Sequence, residues 1–182
     1  LDFAAARATE AASEFQPQHI STIFWAHARL QCAHSSGLVS AAKQRLSEFE
    51  PQHLANTMWS MATLQTADGE IVRQIQERAQ NVAESFKPQE ACNLLWSFAT
   101  VQFKEDTSNE VLQRLVGRVA SRIDESPTQD HANLLWSVAR LRGSDKCVPT
   151  VVADVHARLS EFGARHMSAC LWSLATLSSP AF

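Results

Sequence analysis

The chain has 182 residues, of which 45% are hydrophobic and 19% are charged, and its formal net charge at pH 7 is -3. The apolar content is sufficient for a packed core, and the charged fraction is too small for an intrinsically disordered chain. The negative balance excludes a global attraction to nucleic acid or to an anionic membrane, so a contact with phosphate requires a local basic patch.

The residue content favours helices and a reducing compartment. Gly and Pro number 5 and 6 and Tyr is absent, which favours helix over sheet. None of the 4 cysteines stands in a CxxC pair, so we interpret them as small core residues. No apolar run approaches the roughly 20 residues that span a membrane. Because the chain begins at Leu1 within a helical pattern, we expect it to be an excerpt of a longer protein.

Five tryptophans divide the chain into similar segments. They are Trp25, Trp59, Trp96, Trp136 and Trp172, at intervals of 34, 37, 40 and 36 residues. Positions are counted below from each tryptophan, with negative numbers toward the N terminus. Every tryptophan is followed by Ala at +3 and by Leu or Val at +5. This recurrence predicts a repeat architecture with a period of about 37 residues.

The predicted repeat units follow one another along a single segment, residues 1–182. In chain order they cover roughly residues 1–31, 37–65, 69–102, 108–142 and 148–178. Each unit is predicted to contain an N-terminal helix B and then a helix A that carries the tryptophan. Two such helices cannot bury an apolar face alone, whereas stacked units share one core. We therefore predict an all-α fold, an α-solenoid of five two-helix repeats.

The two predicted helices differ in their polar faces. In helix B of the third unit, Ile71, Val72, Ile75 and Ala79 recur at helical spacing, and the opposite face is polar. A short Phe-x-Pro-Gln link follows in three units, and its proline suits the first turn of helix A. Helix A has a wide apolar face and one narrow polar strip, which predicts an inner helix with neighbours on both sides.

The segments FEPQHLANTMWSMATLQ and FKPQEACNLLWSFATVQ, residues 49–65 and 86–102, show the pattern most fully. The pattern resembles the octotricopeptide repeat, an α-solenoid unit of organellar RNA-binding proteins, and the helical arrays that precede the RAP domain. Similar arrays occur in the FAST-kinase-domain family and in a subunit of the trypanosome RNA-editing substrate-binding complex. The resemblance covers all five units. The last unit departs most, with Ala164, Arg165 and Ala169 in place of Pro, Gln and Asn.

The resemblance implies binding of single-stranded RNA in the mitochondrial matrix or the plastid stroma. The implied role is in RNA processing, mRNA stability, translation or an RNA editing complex, with no chemistry in this segment.

The polar strip of helix A is the first candidate for RNA contact. Amides and hydroxyls recur at -7, -3, +1 and +4 and would form a stripe across stacked units that can hydrogen-bond to bases. The candidates, with the variable position -6, are Gln18, His19, Arg29, Gln52, His53, Asn56, Ser60, Thr63, Gln89, Glu90, Asn93, Ser97, Thr100, Gln129, Asp130, Asn133, Ser137, Arg140, His166, Ser173 and Thr176. The alternative is that the recurring residues hold the units together. Positions -6 and +4 vary between units and are the better candidates for base specificity.

Arginines of helix B are the second candidate. They recur at -18 and -14, one turn apart on the same face, with Arg114 one turn earlier at -22, and would line up as a basic ribbon for phosphate. The candidates are Arg45, Arg78, Arg114, Arg118, Arg122 and Arg158. The alternative is a set of ordinary surface ion pairs, because a Glu stands three residues after several of them.

The remaining distinctive residues favour structural roles. The tryptophans are candidates for base stacking, but their apolar neighbours and the Ala at +3 favour a place in the core. His131 replaces an apolar residue of the other units and is predicted to be buried with satisfied hydrogen bonds. The sequence contains no nucleophile–base–acid set, no Gly-rich phosphate loop and no zinc-ligand spacing. We therefore expect no enzyme activity, no cofactor and no metal in this segment.

The patterns predict a helical array with a polar stripe, and the resemblance implies a non-catalytic segment that binds single-stranded organellar RNA, alone or with other proteins of an RNA-processing complex. No membrane or DNA partner is expected. The alternative is an α-solenoid protein–protein interaction scaffold that uses the same surface without binding RNA.

Overall fold

The computed structural model describes residues 14–102, 110–142 and 145–178. Within these ranges it contains helices and turns and no β-strand, which confirms the all-α prediction. The described α-helices are α1 (Pro17–Leu30), α2 (Ser36–Arg45), α3 (Pro51–Leu64), α4 (Gly69–Asn81), α5 (Pro88–Thr100), α6 (Glu110–Ala120), α7 (Thr128–Leu141), α8 (Val148–Ala157) and α9 (Ala164–Ser178). Most of the first predicted helix B, residues 1–13, lies outside the described residues.

The two predicted kinds of helix alternate along the described chain. Helices α1, α3, α5, α7 and α9 each carry one tryptophan and are the A helices, and α2, α4, α6 and α8 are the B helices. This alternation is that of a helical repeat. The chain divides into two compact units, Leu1–Val82 and Ala83–Phe182, and each has its own core.

In the first compact unit, α1 packs on α3, α2 packs on α1 and α4 packs on α3. Burial of apolar side chains between these helices drives the packing. The largest side chains without exposed surface here are Ile20, Phe24, Leu38, Phe49, Leu54, Met58, Met61, Ile71 and Ile75.

In the second compact unit, α7 lies between α5 and α9, and α6 packs on α5. Its core contains Phe86, Leu94, Phe98, Leu115 and Leu134. Both units therefore place the A helices side by side. No helix in the described ranges is long and apolar enough to cross a membrane.

Proline and left-handed residues set the limits of the A helices. Pro17, Pro51 and Pro88 are the first residues of α1, α3 and α5, where the missing N–H costs no hydrogen bond. The residue at +6 lies in the left-handed region in four repeats, with φ between 49° and 56°; these residues are Gln31, Gln65, Gln102 and Arg142. It is the C-cap of α1, α3 and α7, whereas α5 ends one residue earlier, with Val101 as its C-cap.

The B helices end in a tighter turn than an α-helix. A three-residue 3₁₀ turn follows each of them, over Leu46–Glu48, Ala83–Ser85, Ile123–Glu125 and Leu159–Glu161. The residue at -10 comes directly after this turn, and at Phe49 and Phe86 its side chain is fully buried. The link between helices B and A is therefore anchored by a core residue.

Candidate nucleic-acid interface

The tryptophans lie at the surface of the A helices rather than in the core. Trp25 and Trp172 are each 46% exposed, and Trp59, Trp96 and Trp136 are half-buried. The prediction that they are core residues is wrong, because phenylalanine, leucine and methionine fill the interior. The indole rings of the A helices are accessible for stacking.

Corresponding positions of α5 and α7 meet, as the predicted stacking of A helices requires. The rings of Trp96 and Trp136 have centroids 6.4 Å apart and are inclined by 31°. Nearer the start of both helices, the thiol of Cys92 donates to the carbonyl oxygen of Asp130 at 3.6 Å. Because both contacts join similar positions, these two A helices run in the same direction.

The serine at +1 faces inward. Ser60, Ser97, Ser137 and Ser173 have no exposed surface. Each hydroxyl donates to the carbonyl oxygen four residues earlier, at 2.6 to 2.7 Å. The prediction of an outward hydroxyl at this position is wrong, because a small residue here lets neighbouring A helices approach closely. The predicted strip is sealed at +1.

The other strip positions retain access to solvent to different degrees. The glutamines at -7 are exposed, and the asparagines at -3 are half-buried: Gln18, Gln52, Gln89 and Gln129 belong to the first set, and Asn56, Asn93 and Asn133 to the second. At +4, the hydroxyls of Thr100 and Thr176 donate to the carbonyl oxygen of the tryptophan in their own repeat, each at 2.8 Å, and Thr63 is half-buried. The open part of the strip is therefore an amide ridge at -7 and -3.

The variable residue at -6 caps helix A in three repeats. The backbone N–H of Gln16 donates to Nδ1 of His19 at 3.3 Å, and that of Glu50 donates to Nδ1 of His53 at 3.2 Å. A carboxylate oxygen of Glu90 accepts from the N–H of Lys87 in the same way, at 2.9 Å. This contact is one half of a capping box. It explains why the residue type at -6 varies, because any side chain with an acceptor at a suitable distance can accept this backbone hydrogen bond.

The last two repeats use position -6 differently. Asp130 is buried, and burial raises the pKa of its carboxyl. His166 is half-buried, and its Nδ1 lies 3.0 Å from the hydroxyl of Thr128 in the preceding repeat. Position -6 thus serves helix ends and repeat contacts, and His166 also borders the pocket described below.

The arginines of helix B connect consecutive repeats. The carbonyl at -10 stands just before the first carbonyl that accepts a hydrogen bond within helix A, so it needs another partner. Arg45 donates to the carbonyl oxygen of Phe15 at 2.6 Å, and Arg78 to that of Phe49 at 2.9 Å. We call these contacts the arginine clamps.

The second compact unit contains two further arginine clamps. Arg118 donates to the carbonyl oxygen of Phe86 through two nitrogens, at 3.1 and 2.8 Å. Arg158 donates to the carbonyl oxygens of Ser126 at 3.0 Å and Asp124 at 3.1 Å. An arginine at either -18 or -14 therefore brings its guanidinium group to the carbonyl oxygen at -10 of the preceding repeat.

The other two helix-B candidates are in ion pairs. Arg114 lies 2.7 Å from Glu110, and Arg122 lies 2.9 Å from Glu125. These contacts favour the alternative of structural contacts and ion pairs over a basic ribbon, because carbonyls or carboxylates contact all six guanidinium groups: Arg45, Arg78, Arg114, Arg118, Arg122 and Arg158.

Two arginines of helix A, at +4, lie over indole rings and, unlike most arginines of helix B, do not pair with carboxylates of the described residues. The guanidinium carbon of Arg29 lies 5.8 Å from the ring centroid of Trp25, and that of Arg140 lies 5.6 Å from the ring centroid of Trp136. Both arginines are exposed. In the described part of the chain, the arginine ion pairs all belong to helix B and its following turn. These two charges therefore remain available to an anion.

His131 is buried and satisfied, as predicted. Its side chain is fully buried; Nδ1 lies 3.0 Å from the carbonyl oxygen of Pro127 and Nε2 lies 2.6 Å from Oδ2 of Asp154. Arg158 lies 3.3 Å from the same Asp154 oxygen. Both ring nitrogens of His131 therefore have a hydrogen-bonding partner. The cluster joins α7 to α8.

The first compact unit contains a stacked histidine pair. The rings of His27 and His34 have centroids 5.7 Å apart and are inclined by 11°. Burial, and then the neighbouring charge of His27, lowers the pKa of His34 to about 4. Burial also lowers the pKa of His27. This pair makes the fold sensitive to acid.

Within residues 14–102, 110–142 and 145–178, no cluster of three or more His, Cys, Asp or Glu side chains has an arrangement that could hold a metal ion. Cys92 and Cys170 are buried, as the sequence predicts.

Known protein families provide an independent comparison. The model of a family described as RNA-editing substrate-binding complex 6 protein matches residues 1–146. A search among curated proteins finds no match. The family match confirms the resemblance to the RNA-editing substrate-binding complex, while the likeness to octotricopeptide, RAP-associated and FAST-kinase-domain arrays stays a prediction.

Proposed function

Because the chain belongs to the RNA-editing substrate-binding complex 6 protein family, we propose that it binds single-stranded RNA through its A helices as a non-catalytic part of an RNA-editing complex. Other proteins of that complex are its expected partners. The proposed location is the mitochondrial matrix, where the RNA-editing complexes of trypanosomes reside. The plastid stroma, which the sequence resemblance also allowed, has no support from the family match.

One observation supports RNA binding above the others: exposed arginines without carboxylate partners lie over accessible indole rings on the A helices. Arg29 with Trp25 and Arg140 with Trp136 form two such pairs. A guanidinium group can pair with a phosphate while the adjacent ring offers a stacking surface to a base. The exposed glutamines at -7 add hydrogen-bonding groups beside them. This combination suits a single strand, whose bases are free to stack.

The test is the binding of a fluorescently labelled single-stranded RNA to the chain, measured by anisotropy at increasing KCl concentration. We expect affinity to fall as salt rises, because phosphate contacts release counterions. Arg140→Gln should weaken binding and reduce the salt slope by about 0.7. Arg114→Gln is the matched control, because it removes the same charge from an ion-paired position on helix B.

Two results would contradict the proposal. One is the absence of RNA binding at low salt. The other is an equal loss of affinity in Arg140→Gln and Arg114→Gln, since only the net charge would then matter.

An interaction scaffold for proteins is the second candidate function. It is favoured by apolar exposure in the last described repeat, where Leu171 is 61% exposed and Trp172 46%. Such a surface would bind a partner through apolar burial, with little dependence on salt. Binding of a protein of the complex that is unchanged between low and high salt, with no RNA binding, would favour this second function.

A further inference from the structure

A pocket opens between three A helices of the second compact unit. Its lining includes the indole rings of Trp96 and Trp136, the amides of Gln129 and Asn133, and the side chains of Arg165 and His166. Two alanines, Ala132 and Ala169, complete the wall. The pocket therefore combines aromatic surface, amide groups and one exposed positive charge.

Two residues that depart from the repeat pattern line this pocket. Position -3 is Asn in α3, α5 and α7 but Ala169 in α9, and position -7 is Gln in the four preceding repeats but Arg165 in the last. The alanine removes an amide side chain beside the pocket. The arginine replaces a neutral group with a cation, and none of the described ion pairs includes it.

The polar groups around the pocket are arranged to leave donors and acceptors free for a ligand. His166 uses Nδ1 for the hydroxyl of Thr128 at 3.0 Å, which leaves its other ring nitrogen for a second partner. The amides of Gln129 and Asn133 each carry both a donor and an acceptor. Arg140 lies over the ring of Trp136, 5.6 Å from its centroid, and adds a positive charge beside a ring that lines the pocket.

We propose that this pocket holds one unpaired nucleobase of the bound RNA, stacked on the indole surface, with Arg165 paired to the adjoining phosphate. The inference rests on the RNA-binding function proposed above and assigns it a specific site. Gln129 and Asn133 hydrogen-bond to the edge of the base. Stacking surface, amides and a cation within one cleft favour a nucleotide over an aromatic side chain of a protein, which would leave the cation without a partner.

The sequence itself supplies the test, because the repeat consensus can be restored at both departing positions. Ala169→Asn returns the amide that three other repeats accommodate and narrows the pocket. Since stacking on an aromatic ring is the main contribution lost, we expect RNA affinity to fall on the order of tenfold. Arg165→Gln should lower affinity by a few fold at low salt and reduce the salt slope by about 0.7.

Two controls accompany these variants. Ser168→Asn adds an amide to the neighbouring exposed residue of α9, which does not line the pocket, and should leave affinity within about twofold of the original chain. Melting temperatures show whether each variant is folded. If Ala169→Asn melts lower, Arg165→Gln at an exposed position still decides the question.

The outcomes separate this inference from the proposed function. If Ala169→Asn and Arg165→Gln both bind RNA as the original chain does while Arg140→Gln binds more weakly, the pocket proposal is overturned and RNA binding by the A helices stands. If the original chain binds no RNA at low salt, both proposals fail.

Discussion

Helix A and helix B both present arginine side chains, and the two helices use them differently. On helix B, Arg118 and Arg158 donate to main-chain carbonyls of the preceding repeat. On helix A, Arg29 and Arg140 lie over indole rings, with no carboxylate of the described residues in ion-pair contact. The side chains are chemically identical, so the difference comes from the acceptors that each helix meets. An arginine indicates a binding function only when no neighbouring carbonyl or carboxylate group already pairs with its charge.

The arginine clamps show what helix B contributes to the repeat. The carbonyl oxygen of Gln16 accepts from the N–H of Ile20, and that of Glu50 accepts from the N–H of Leu54, each at 3.1 Å. Helix A therefore satisfies carbonyls only from position -9 onward, and the carbonyl at -10 is left for an arginine from the next repeat. The clamps hold consecutive repeats in register while the A helices present their rings to solvent.

The largest expected effect is the loss of the buried pair in the second compact unit. Asp154→Ala removes the hydrogen-bonding partner of Nε2 in the fully buried His131 and also removes a partner of Arg158. We expect the free energy of unfolding to fall by about 3 kcal/mol, because a fully buried ring nitrogen is left without a hydrogen-bonding partner and Arg158 loses a carboxylate contact. Urea denaturation measures the change. Asp124→Ala, at an exposed position, is the control and should change stability by no more than about 0.5 kcal/mol.

The next largest effect should come from removing an arginine clamp. Arg118→Met keeps much of the side-chain volume but loses both hydrogen bonds to the Phe86 carbonyl. We expect a loss of about 2 kcal/mol, typical of hydrogen bonds to charged groups. Arg114→Met, one turn earlier, loses only an exposed ion pair and should cost no more than about 0.5 kcal/mol. Equal losses in the two variants would show that Arg118 is an ordinary surface arginine.

The helical pattern was sufficient to predict the repeat but not its interior. Spacing identified the A and B helices, the proline at the start of helix A and the side-by-side arrangement of α5 and α7. The apolar neighbours of each tryptophan and the Ala at +3 favoured a place in the core, but the spacing within one helix does not show how far other helices cover a side chain. In the structure, Phe24, Phe98 and Met58 lie in the interior, and Trp96 and Trp136 are half-buried.

Partners in neighbouring repeats explain the other differences. Ser97 lies on the polar side of its own helix, yet its side chain is buried within the packed layer of A helices. The periodicity of one helix carries no information about the helices that pack against it. The offsets correctly placed Arg78 and Arg158 on one face, but the carbonyls they bind belong to the preceding repeat. Arg165 was missed as a candidate, although its departure from the repeated glutamine was a usable signal.

Acid should lower the free energy of unfolding without changing the charge of the arginines on helix A or helix B. The pKa of His34 is lowered from its ordinary value of 6.5 to about 4 by burial and then by the charge of His27. The unfolded chain therefore takes up a proton in this window that the folded chain does not. Stability should be complete above pH 6.5 and should fall as the pH is lowered toward 4.

The measurement is urea denaturation at several pH values between 7 and 4. His34→Gln removes this titration and should flatten the acid side of the stability curve, while Arg140→Gln should leave its slope unchanged. A curve for His34→Gln as steep as that of the original chain would assign the acid sensitivity to other groups.

The contrast between the two helix surfaces is tested most directly by the salt dependence of RNA binding in two double variants with equal loss of charge. Arg29→Gln with Arg140→Gln should reduce the slope of log affinity against log salt by about 1.4, twice the value for one phosphate contact on a single strand. Arg114→Gln with Arg122→Gln should leave the slope as it is in the original chain. Equal slopes for the two double variants, or a larger reduction in the helix-B pair, would contradict RNA binding by the A helices.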